Sequence, residues 1–375
     1  MISMDQFFQG PPAALGSAPG RVNLLGEHTD YNEGFMLPTA TPQRTEVALS
    51  PSPDQHHQFY SATLDQQVRF ARADPAPPGF ARYMEGCVRM LEERALTVPP
   101  LRAYVRSAVP VGAGLSSSAA LELATLRALR RLLALPLDDV TLALLGQQVE
   151  IRYAQVNCGV MDQMAASLAD SGHMLFLDAR TLAFELLPMP PDSALIVIDS
   201  GVARTLTGSQ YNVRRAECEQ AARLLGLGSL RDVDDPERVE ALPEPYRRRA
   251  RHVVRENLRV LRARDERDAR AFGVLMNQSH ASLRDDYEVS VAELDELTAL
   301  LREAPEVYGA RLTGAGFGGA CVALCRPDAA AAVGRRTVAR FNATAAKAGM
   351  GAPHRARLLL PMPVAESADW GGGLR

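Results

Sequence analysis

A polar loop near the N-terminus, residues 20–34, concentrates side chains that can exchange hydrogen bonds with a ligand. Its sequence is GRVNLLGEHTDYNEG. Converging carboxylate and imidazole groups can distinguish the hydroxyls of a sugar ring, because hydrogen bonds left unmade with the wrong epimer are costly. The loop lacks H-E-x-x-H spacing and a second histidine at ligand distance, which disfavours zinc. A sugar site is therefore favoured, with a solvated surface loop as the alternative.

The first glycine loop, residues 109–118, has the composition of an anion-binding turn. It reads VPVGAGLSSS and leads from a predicted strand into an alanine- and leucine-rich helix. Gly112 and Gly114 permit tight turning, and the three serines at 116–118 can cap a helix whose first N–H groups attract anions. A Walker loop and a kinase strand lysine are both absent, since Lys347 is the only lysine. We predict a lysine-free phosphate-binding loop, with an ordinary capped helix as the alternative.

The second glycine loop, residues 314–319, formally matches the dinucleotide pattern G-x-G-x-x-G. Such a fingerprint must open a helix, yet residues 320–325, ACVALC, continue as a strand without an acidic residue at the ribose distance. We therefore predict strand, turn and strand, either as a backbone wall against an active-site cleft or as a plain glycine hairpin.

Two carboxylates lie on predicted helices near these loops. Asp162 begins a short helix within the sequence CGVMDQM, and Glu150 lies on the helix before it. Phosphoryl transfer needs a carboxylate that accepts the substrate hydroxyl proton and a nearby cation, which Arg21 can supply. Glu150 and Ser118 suit Mg²⁺, which favours few carboxylates together with phosphate oxygens. The alternative for both carboxylates is an ordinary helix residue.

Hydrophobic periodicity predicts the mixture of strands and helices that positions these residues. Strands are predicted within residues 57–70 and at 101–107, 194–200, 310–313, 321–324 and 355–360. Helices are predicted after Ser118 and at 142–156, 212–225, 252–264, 268–283, 291–302 and 328–346. Because strands and helices do not alternate strictly, the fold class is α+β.

Length and composition predict two domains. A chain of 375 residues exceeds the size at which a single core usually keeps growing. We place the boundary after the proline cluster at 188–191, which gives domains of residues 1–190 and 191–375. The net charge of -3 excludes a strong attraction to nucleic acid or an anionic membrane. Five scattered cysteines and the lack of an export signal or long apolar segment predict a reduced, cytoplasmic protein.

Three motifs together make the chain resemble the galactokinases, within the wider family of galactose, homoserine, mevalonate and phosphomevalonate (GHMP) kinases. GRVNLLGEHTDYNEGFMLP at 20–38 resembles the galactokinase signature, PVGAGLSSSAA at 110–120 the shared ATP motif, and LTGAGFGGA at 312–320 the third motif. CGVMDQ and SHASLRDDYEVSVAELDEL at 279–297 are likewise similar to galactokinases. The resemblance covers nearly the whole chain.

The resemblance implies a fold and a reaction. The N-terminal domain would be similar to domain 2 of ribosomal protein S5, the C-terminal domain would be ferredoxin-like, and the active site would lie in the cleft between them. The reaction would be the Mg²⁺- and ATP-dependent phosphorylation of α-D-galactose at its C1 hydroxyl, which begins galactose catabolism by the Leloir pathway. We further expect a monomer.

The resemblance also implies a role for individual residues. Asp162 would be the catalytic base, and Arg21 would stabilise the transition state. The sugar contacts would be Glu27, His28, Thr29, Asp30, Gly159, Asp162 and Tyr211. The nucleotide contacts would be Ser61, Gly112, Ala113, Gly114, Leu115, Ser116, Ser117 and Ser118. Ser118 and Glu150 would hold the magnesium ion.

Departures from the family pattern are small, and two alternatives stay open. Leu25 stands where isoleucine is common, and Ala315 and Ala320 stand where glycine and cysteine are common. Residues 27–30, EHTD, argue against mevalonate or homoserine as the substrate but leave a 2-acetamido sugar or arabinose open. A galactose sensor without turnover would have a damaged ATP motif, whereas residues 116–120 are intact.

Overall fold

The computed structural model describes residues 2–75, 77–202, 207–347 and 355–361. The chain divides into two compact units, Met1–Met189 with Leu206–Arg264, and Pro190–Thr205 with Asp265–Arg375. This division assigns residues 206–264 to the first unit, because the helices there contact the polar loop. The sequence-based domains, residues 1–190 and 191–375, stay a prediction, as does the cleft between them.

The first unit contains a five-stranded sheet and a three-stranded sheet. The larger sheet has the order β1 (Ala14–Asn23), β3 (Pro38–Pro51), β6 (Leu101–Ser107), β4 (His56–Ser61) and β5 (Gln66–Ala71). Its neighbouring strands are antiparallel except for β4 and β6. The smaller sheet has the order β2 (Phe35–Met36), β7 (His173–Asp178) and β8 (Phe184–Pro188). The register of β1 on β3 shifts between Pro19 and Arg21, and such bulges re-aim the side chains that follow.

Helices cover the larger sheet and enclose a buried apolar core. The helices of the first unit are α1 (Met4–Phe8), α2 (Phe80–Glu92), α3 (Ser117–Leu132), α4 (Asp139–Arg152), α5 (Met161–Leu168), α6 (Thr207–Leu224) and α7 (Tyr246–Asp265). Helix α3 lies directly on β1, where a Cβ at Gly16 would sit 2.0 Å from the carbonyl oxygen of Ala124. This close approach needs glycine, and it fixes the start of α3 beside the end of β1.

The second unit is a four-stranded antiparallel sheet with helices packed on it. Its strand order is β10 (Val307–Thr313), β11 (Ala320–Cys325), β9 (Ala194–Asp199) and β12 (Arg357–Leu360). Its helices are α8 (Ala269–Asp285), α9 (Ala292–Arg302) and α10 (Ala330–Lys347). The second glycine loop joins β10 to β11, with Thr313 opposite Ala320. The predicted order of strand, turn and strand is therefore confirmed.

The predicted α+β class is confirmed, with local corrections. The region 57–70 is a hairpin of β4 and β5 with a turn at residues 62–65. The helix predicted to reach Val156 ends at Arg152, because Gln155 adopts a left-handed backbone with φ of 61°. Within the described residues, no helix is long and apolar enough to cross a membrane.

Candidate functional site

A buried ion pair between Arg21 and Asp162 forms the centre of the site. Arg21 lies near the end of β1, and Asp162 lies in the first turn of α5. The Nε and Nη2 atoms of Arg21 are each 2.7 Å from Oδ1 of Asp162, and Nη1 donates to the carbonyl oxygen of Gly114 at 2.6 Å. The Arg21 side chain is 4% exposed, whereas that of Asp162 is 33% exposed. A fixed carboxylate therefore remains reachable by a ligand.

Electrostatics keep Arg21 charged in this setting. Burial alone would lower its pKa, but the nearby carboxylates of Asp162, Glu27 and Asp30 outweigh burial and raise it. A permanent cation thus lies beside the carboxylates of the polar loop.

The first glycine loop reaches this centre through Ser116, in a way that the sequence did not predict. Ser116 is the N-cap residue of α3, but it adopts a left-handed backbone with φ of 56° and its side chain does not cap the helix. Its hydroxyl instead donates to Oδ2 of Asp162. The expectation of a serine side-chain cap is wrong for Ser116, because the hydroxyl is committed to the carboxylate. The main chain at Gly112, with φ of 78°, borders open space.

The polar loop brings an aromatic cluster to the same region. Residues 20–23 belong to β1, and Asp30–Asn32 form a 3₁₀ turn, so the stretch is only partly irregular. The Nδ1 atom of His28 is 2.8 Å from the Tyr31 hydroxyl. Tyr211 of α6 contacts both rings, at centroid distances of 5.5 Å from His28 and 5.2 Å from Tyr31. Folding thus joins Tyr211 to residues far earlier in the sequence.

Other predicted sugar contacts are buried more deeply in the loop. Glu27 is 1% exposed and His28 is 3% exposed. Thr29 is fully buried, and its hydroxyl oxygen lies 2.9 Å from the carbonyl oxygen of Gly26 and 2.8 Å from that of Phe35, which share its one hydrogen. The Thr29 side chain therefore holds the shape of the loop.

Gly159 makes room for the carboxylate of Asp30. A Cβ at Gly159 would lie 2.0 Å from Oδ2 of Asp30, which no packing tolerates. The main-chain N–H of Met161 donates to the same oxygen at 3.5 Å. Burial, with the neighbouring charge of Asp162, raises the pKa of Asp30 to about 6. The sequence did not indicate this pairing, since 129 positions of chain separate Gly159 from Asp30.

A carboxylate cluster lies behind the ion pair. The Glu150 carboxylate accepts a hydrogen bond from the Ser118 hydroxyl, so the predicted metal-binding pair is brought together. Burial, with help from the charge of Asp162, raises the pKa of Glu150 to about 7. Burial and the proximity of Glu150 also raise the pKa of Glu122, which sequence reasoning missed, well above its ordinary value. Within the described part of the chain, no group of three or more His, Cys, Asp and Glu side chains has metal-site geometry.

A pocket of about 290 Å³ opens beside the first glycine loop. Its polar lining includes Ser61, Ser117 and Ser118. Its apolar walls come from Leu64, Phe80, Tyr83, Val105 and Leu121. A largely apolar pocket with a few hydroxyl groups suits the flat heterocycle of a ligand whose charged groups bind outside the pocket. Ser61 therefore lies with Ser117 and Ser118 and not at the ion pair.

Helix α7 supports the polar loop from behind, and sequence reasoning missed this role. Glu256 accepts from the N–H of Gly26 at 2.9 Å, and Asn257 accepts from the N–H of Phe35 at 3.0 Å. The ring of His252 is 3.1 Å from the carbonyl oxygen of Glu27. Polar residues at positions 252, 256 and 257 on the buried face of a long helix are the signal that sequence analysis could have used.

Every predicted site residue lies in the first unit. Ser116 and the main chain of Met161 join the ion pair to the first glycine loop and to Asp30, and Ser118 and Glu150 pair with each other. Leu115 is fully buried, and its carbonyl oxygen accepts from the N–H of Arg21 at 3.1 Å. Ala113 and Gly114 are likewise buried, which leaves Val111 and Gly112 as the exposed positions of this loop.

Family models match three parts of the chain. GHMP kinases N terminal domain matches residues 82–170, and GHMP kinases C terminal matches residues 255–343. The galactokinase galactose-binding signature matches residues 5–51. The chain is 43% identical over 326 residues to a galactokinase from Roseiflexus sp. (strain RS-1), covering 84% of this chain and 83% of that one. It is 42% identical over 345 residues to a galactokinase from Chloroflexus aurantiacus, covering 87% of both chains.

Solved structures agree with these matches. Lactococcus lactis galactokinase complexed with galactose superposes with a TM-score of 0.84 at 32% identity, over 92% of each chain. Methanococcus jannaschii mevalonate kinase shares the fold with a TM-score of 0.63 at 15% identity, over 92% of this chain and 96% of that one. The predicted two-domain GHMP kinase fold is thereby confirmed. The chain belongs to the galactokinases of the GHMP kinase family and is a kinase with ATP as its co-substrate.

Proposed function

We propose that the protein transfers the γ-phosphoryl group of ATP to the C1 hydroxyl of α-D-galactose, giving galactose 1-phosphate and ADP. The observation that carries this proposal is the Asp162 carboxylate, held by Arg21 and Ser116 next to the polar loop. The galactose-binding signature at residues 5–51 supports galactose as the sugar. Direct in-line transfer needs no phospho-enzyme, and catalysis comes mostly from positioning and charge stabilisation.

The proposed roles follow from the contacts of each group. Asp162 accepts the proton of the C1 hydroxyl, and Arg21 stabilises negative charge as transfer proceeds. The sugar hydroxyls are read by Glu27, His28, Asp30, Tyr211 and the main chain at Gly159. Thr29 acts through the loop whose shape its hydroxyl holds.

The nucleotide occupies the first glycine loop and its neighbouring pocket. The main chain of residues 112–118 and the N-terminus of α3 attract the phosphates without a lysine. The apolar walls beside Ser61 receive the nucleoside.

The residues present fit a magnesium ion. Burial, together with the negative charge of neighbouring carboxylates, raises the pKa of Glu122 and Glu150, and a cation would relieve that repulsion. Ser118 and Glu150 would hold the ion, in keeping with the preference of Mg²⁺ for few carboxylates. When bound, the ion supplies positive charge that neutralises the phosphate oxygens.

Galactose binding should weaken as the pH falls through about 6. The carboxylate form of Asp30 accepts hydrogen bonds from the sugar, and its raised pKa makes this form disappear near pH 6. A single titration with this pKa predicts about a tenfold loss of affinity between pH 7 and pH 5. Isothermal titration calorimetry at several pH values measures the loss, with Asp30→Asn as the control that should show a flat profile.

The stability of the unliganded fold should change in the opposite direction. Because the pKa of Asp30 is higher in the folded chain than in the unfolded chain, its contribution to stability is lost as the pH rises through about 6. Asp30→Asn should therefore raise the melting temperature more at pH 8 than at pH 5.

Galactose affinity that stays constant from pH 7 to pH 5 would remove the Asp30 carboxylate from the sugar site.

The experiment that tests the proposed reaction is ADP release with Mg²⁺ and ATP against a panel of acceptors. The panel contains galactose, glucose, N-acetylgalactosamine, arabinose and mevalonate. Turnover confined largely to galactose supports the proposal. Turnover of another acceptor but not of galactose would overturn galactose as the substrate. Tight galactose binding without turnover of any acceptor would identify a sensor.

A further inference from the structure

We infer that Gln163 is a positioning residue that fixes the Glu150 carboxylate for a nucleotide-bound cation by bridging it to the buried Glu122. The inference rests on the proposed function, because Glu150 has its role only where a metal ion accompanies the nucleotide. The bridge joins three helices, with Glu122 on α3, Glu150 on α4 and Gln163 on α5.

The hydrogen bonds of the bridge use the whole donor capacity of the amide. The Nε2 atom of Gln163 is 3.2 Å from Oε2 of Glu122 and 3.3 Å from Oε2 of Glu150. A carboxamide nitrogen has two hydrogens, so each is directed at one carboxylate. The orientation of Glu150 is therefore tied to a side chain that cannot move freely.

Burial makes the bridge rigid. Gln163 is 1% exposed and Glu122 is fully buried. A Cβ at Gly146 would lie 3.1 Å from Cγ of Gln163 and 3.4 Å from Oε2 of Glu122, so α4 packs closely against the pair. Such tight packing keeps the Gln163 side chain in place, and the carboxylates that its amide contacts are held with it.

The stability of the fold does not explain why the polar side chains of Glu122 and Gln163 are buried between these helices. Oε1 of Glu122 and Oε1 of Gln163 have no hydrogen-bond partner among the described residues. Buried polar atoms without partners cost stability, and apolar side chains of similar volume would pack there at less cost. The arrangement is instead the one expected of groups that orient a ligand of a metal ion.

The bridge also lies next to the proposed base. Asp162 and Gln163 are neighbours on α5, and Asp162 contacts Ser116 while Glu150 contacts Ser118. The first turn of α5 therefore carries both the proposed base, Asp162, and the side chain that positions the proposed metal ligand, Glu150. A change at Gln163 is expected to act on the cation more than on the sugar, since the amide nitrogen donates to Glu122 and Glu150 and not to the polar loop.

Gln163→Met tests the inference because methionine keeps the length of the side chain and removes both donors. The readout is the ratio of the ADP dissociation constants without and with Mg²⁺, measured by calorimetry on the full chain. Loss of such supporting hydrogen bonds typically weakens metal binding roughly 10- to 100-fold, so we expect this ratio to fall at least about tenfold. The affinity for ADP without metal and the affinity for galactose should each stay within about twofold.

Gln147→Met is the matched control, since Gln147 lies on α4, is partly buried, and donates to the carbonyl oxygen of Cys158 at 3.3 Å rather than to a carboxylate of the bridge. It should keep the wild-type ratio. A Gln163→Met protein with a lower melting temperature but an unchanged ratio would overturn the inference and leave a purely structural role. If Gln163→Met does not fold, Gln163→Asn, whose shorter amide cannot span both carboxylates, is measured in the same way.

The wild-type protein separates this inference from the function on which it rests. If Mg²⁺ does not tighten ADP binding to the wild-type protein, the proposed metal pair of Ser118 and Glu150 fails, and the inference fails with it. If Mg²⁺ tightens binding equally in the wild-type and Gln163→Met proteins, only the inference fails.

Discussion

Asp162→Asn is expected to abolish most turnover while galactose still binds. Removal of a positioned general base typically costs roughly 10²- to 10⁴-fold in rate, and we expect kcat to fall by about that factor. Galactose affinity should change by no more than a few fold, because most of the proposed sugar contacts lie in the polar loop. The loss should therefore appear in kcat and not in the dissociation constant of the sugar.

The geometry makes this substitution a clean test. Asparagine keeps an oxygen in the place of Oδ1, which Arg21 contacts at 2.7 Å, and puts an amide beside the Ser116 hydroxyl, which can then accept. The buried guanidinium of Arg21 loses its nearest counter-charge but retains Glu27 and Asp30 nearby. Since Asp162 is one-third exposed, the cost to stability should lie below the roughly 3–5 kcal/mol that is typical of breaking a fully buried pair.

Coupled ADP release and galactose calorimetry on the same preparation measure both effects. Asp170→Asn is the matched control, because Asp170 is exposed and pairs with His173 away from the ion pair. It should leave both quantities unchanged. Turnover of Asp162→Asn within about tenfold of wild type would remove Asp162 from the role of base.

Gly159→Ala is expected to damage galactose use almost as severely, although it adds a single methyl group. The new Cβ would lie 2.0 Å from Oδ2 and 2.1 Å from Cγ of Asp30, so the carboxylate must leave its position. A displacement of about 1 Å at a positioning group can cost around 10²-fold, so kcat/KM for galactose should fall by about 10²- to 10³-fold. The backbone of Gly159 lies outside the left-handed region, so the effect should come from the clash alone.

A double-mutant cycle identifies the clash as the cause. Once Asp30→Ala has removed the carboxylate, adding Gly159→Ala should cost little more, because residues in contact show strong coupling. Gly228→Ala is the control, since a Cβ there has its nearest neighbour at 3.9 Å and should leave kcat/KM unchanged. Additive losses in the double variant would show that Gly159 acts through another contact.

The sequence by itself determined the family, the fold class and the identities of most candidate site residues. Short-range signals carry this information: the composition of the polar loop, the glycines of the two glycine loops and the helical periodicity of residues 252–264 can be recognised without neighbours in space. The turn between β10 and β11 was predictable for the same reason, since a strand follows the glycines directly.

Only the tertiary structure decided which of these residues contact one another. The hydroxyl of Ser116 binds Asp162 instead of capping α3, and Gly159 is needed because Asp30 fills the space beside it. The bridge from Gln163 to Glu122 and Glu150 joins three helices that no local pattern connects. These contacts depend on how helices and strands pack, because packing sets the partner, the burial and the pKa of a side chain. Periodicity and motif spacing describe only residues that are close in sequence, so they do not predict contacts between residues that are far apart in the chain.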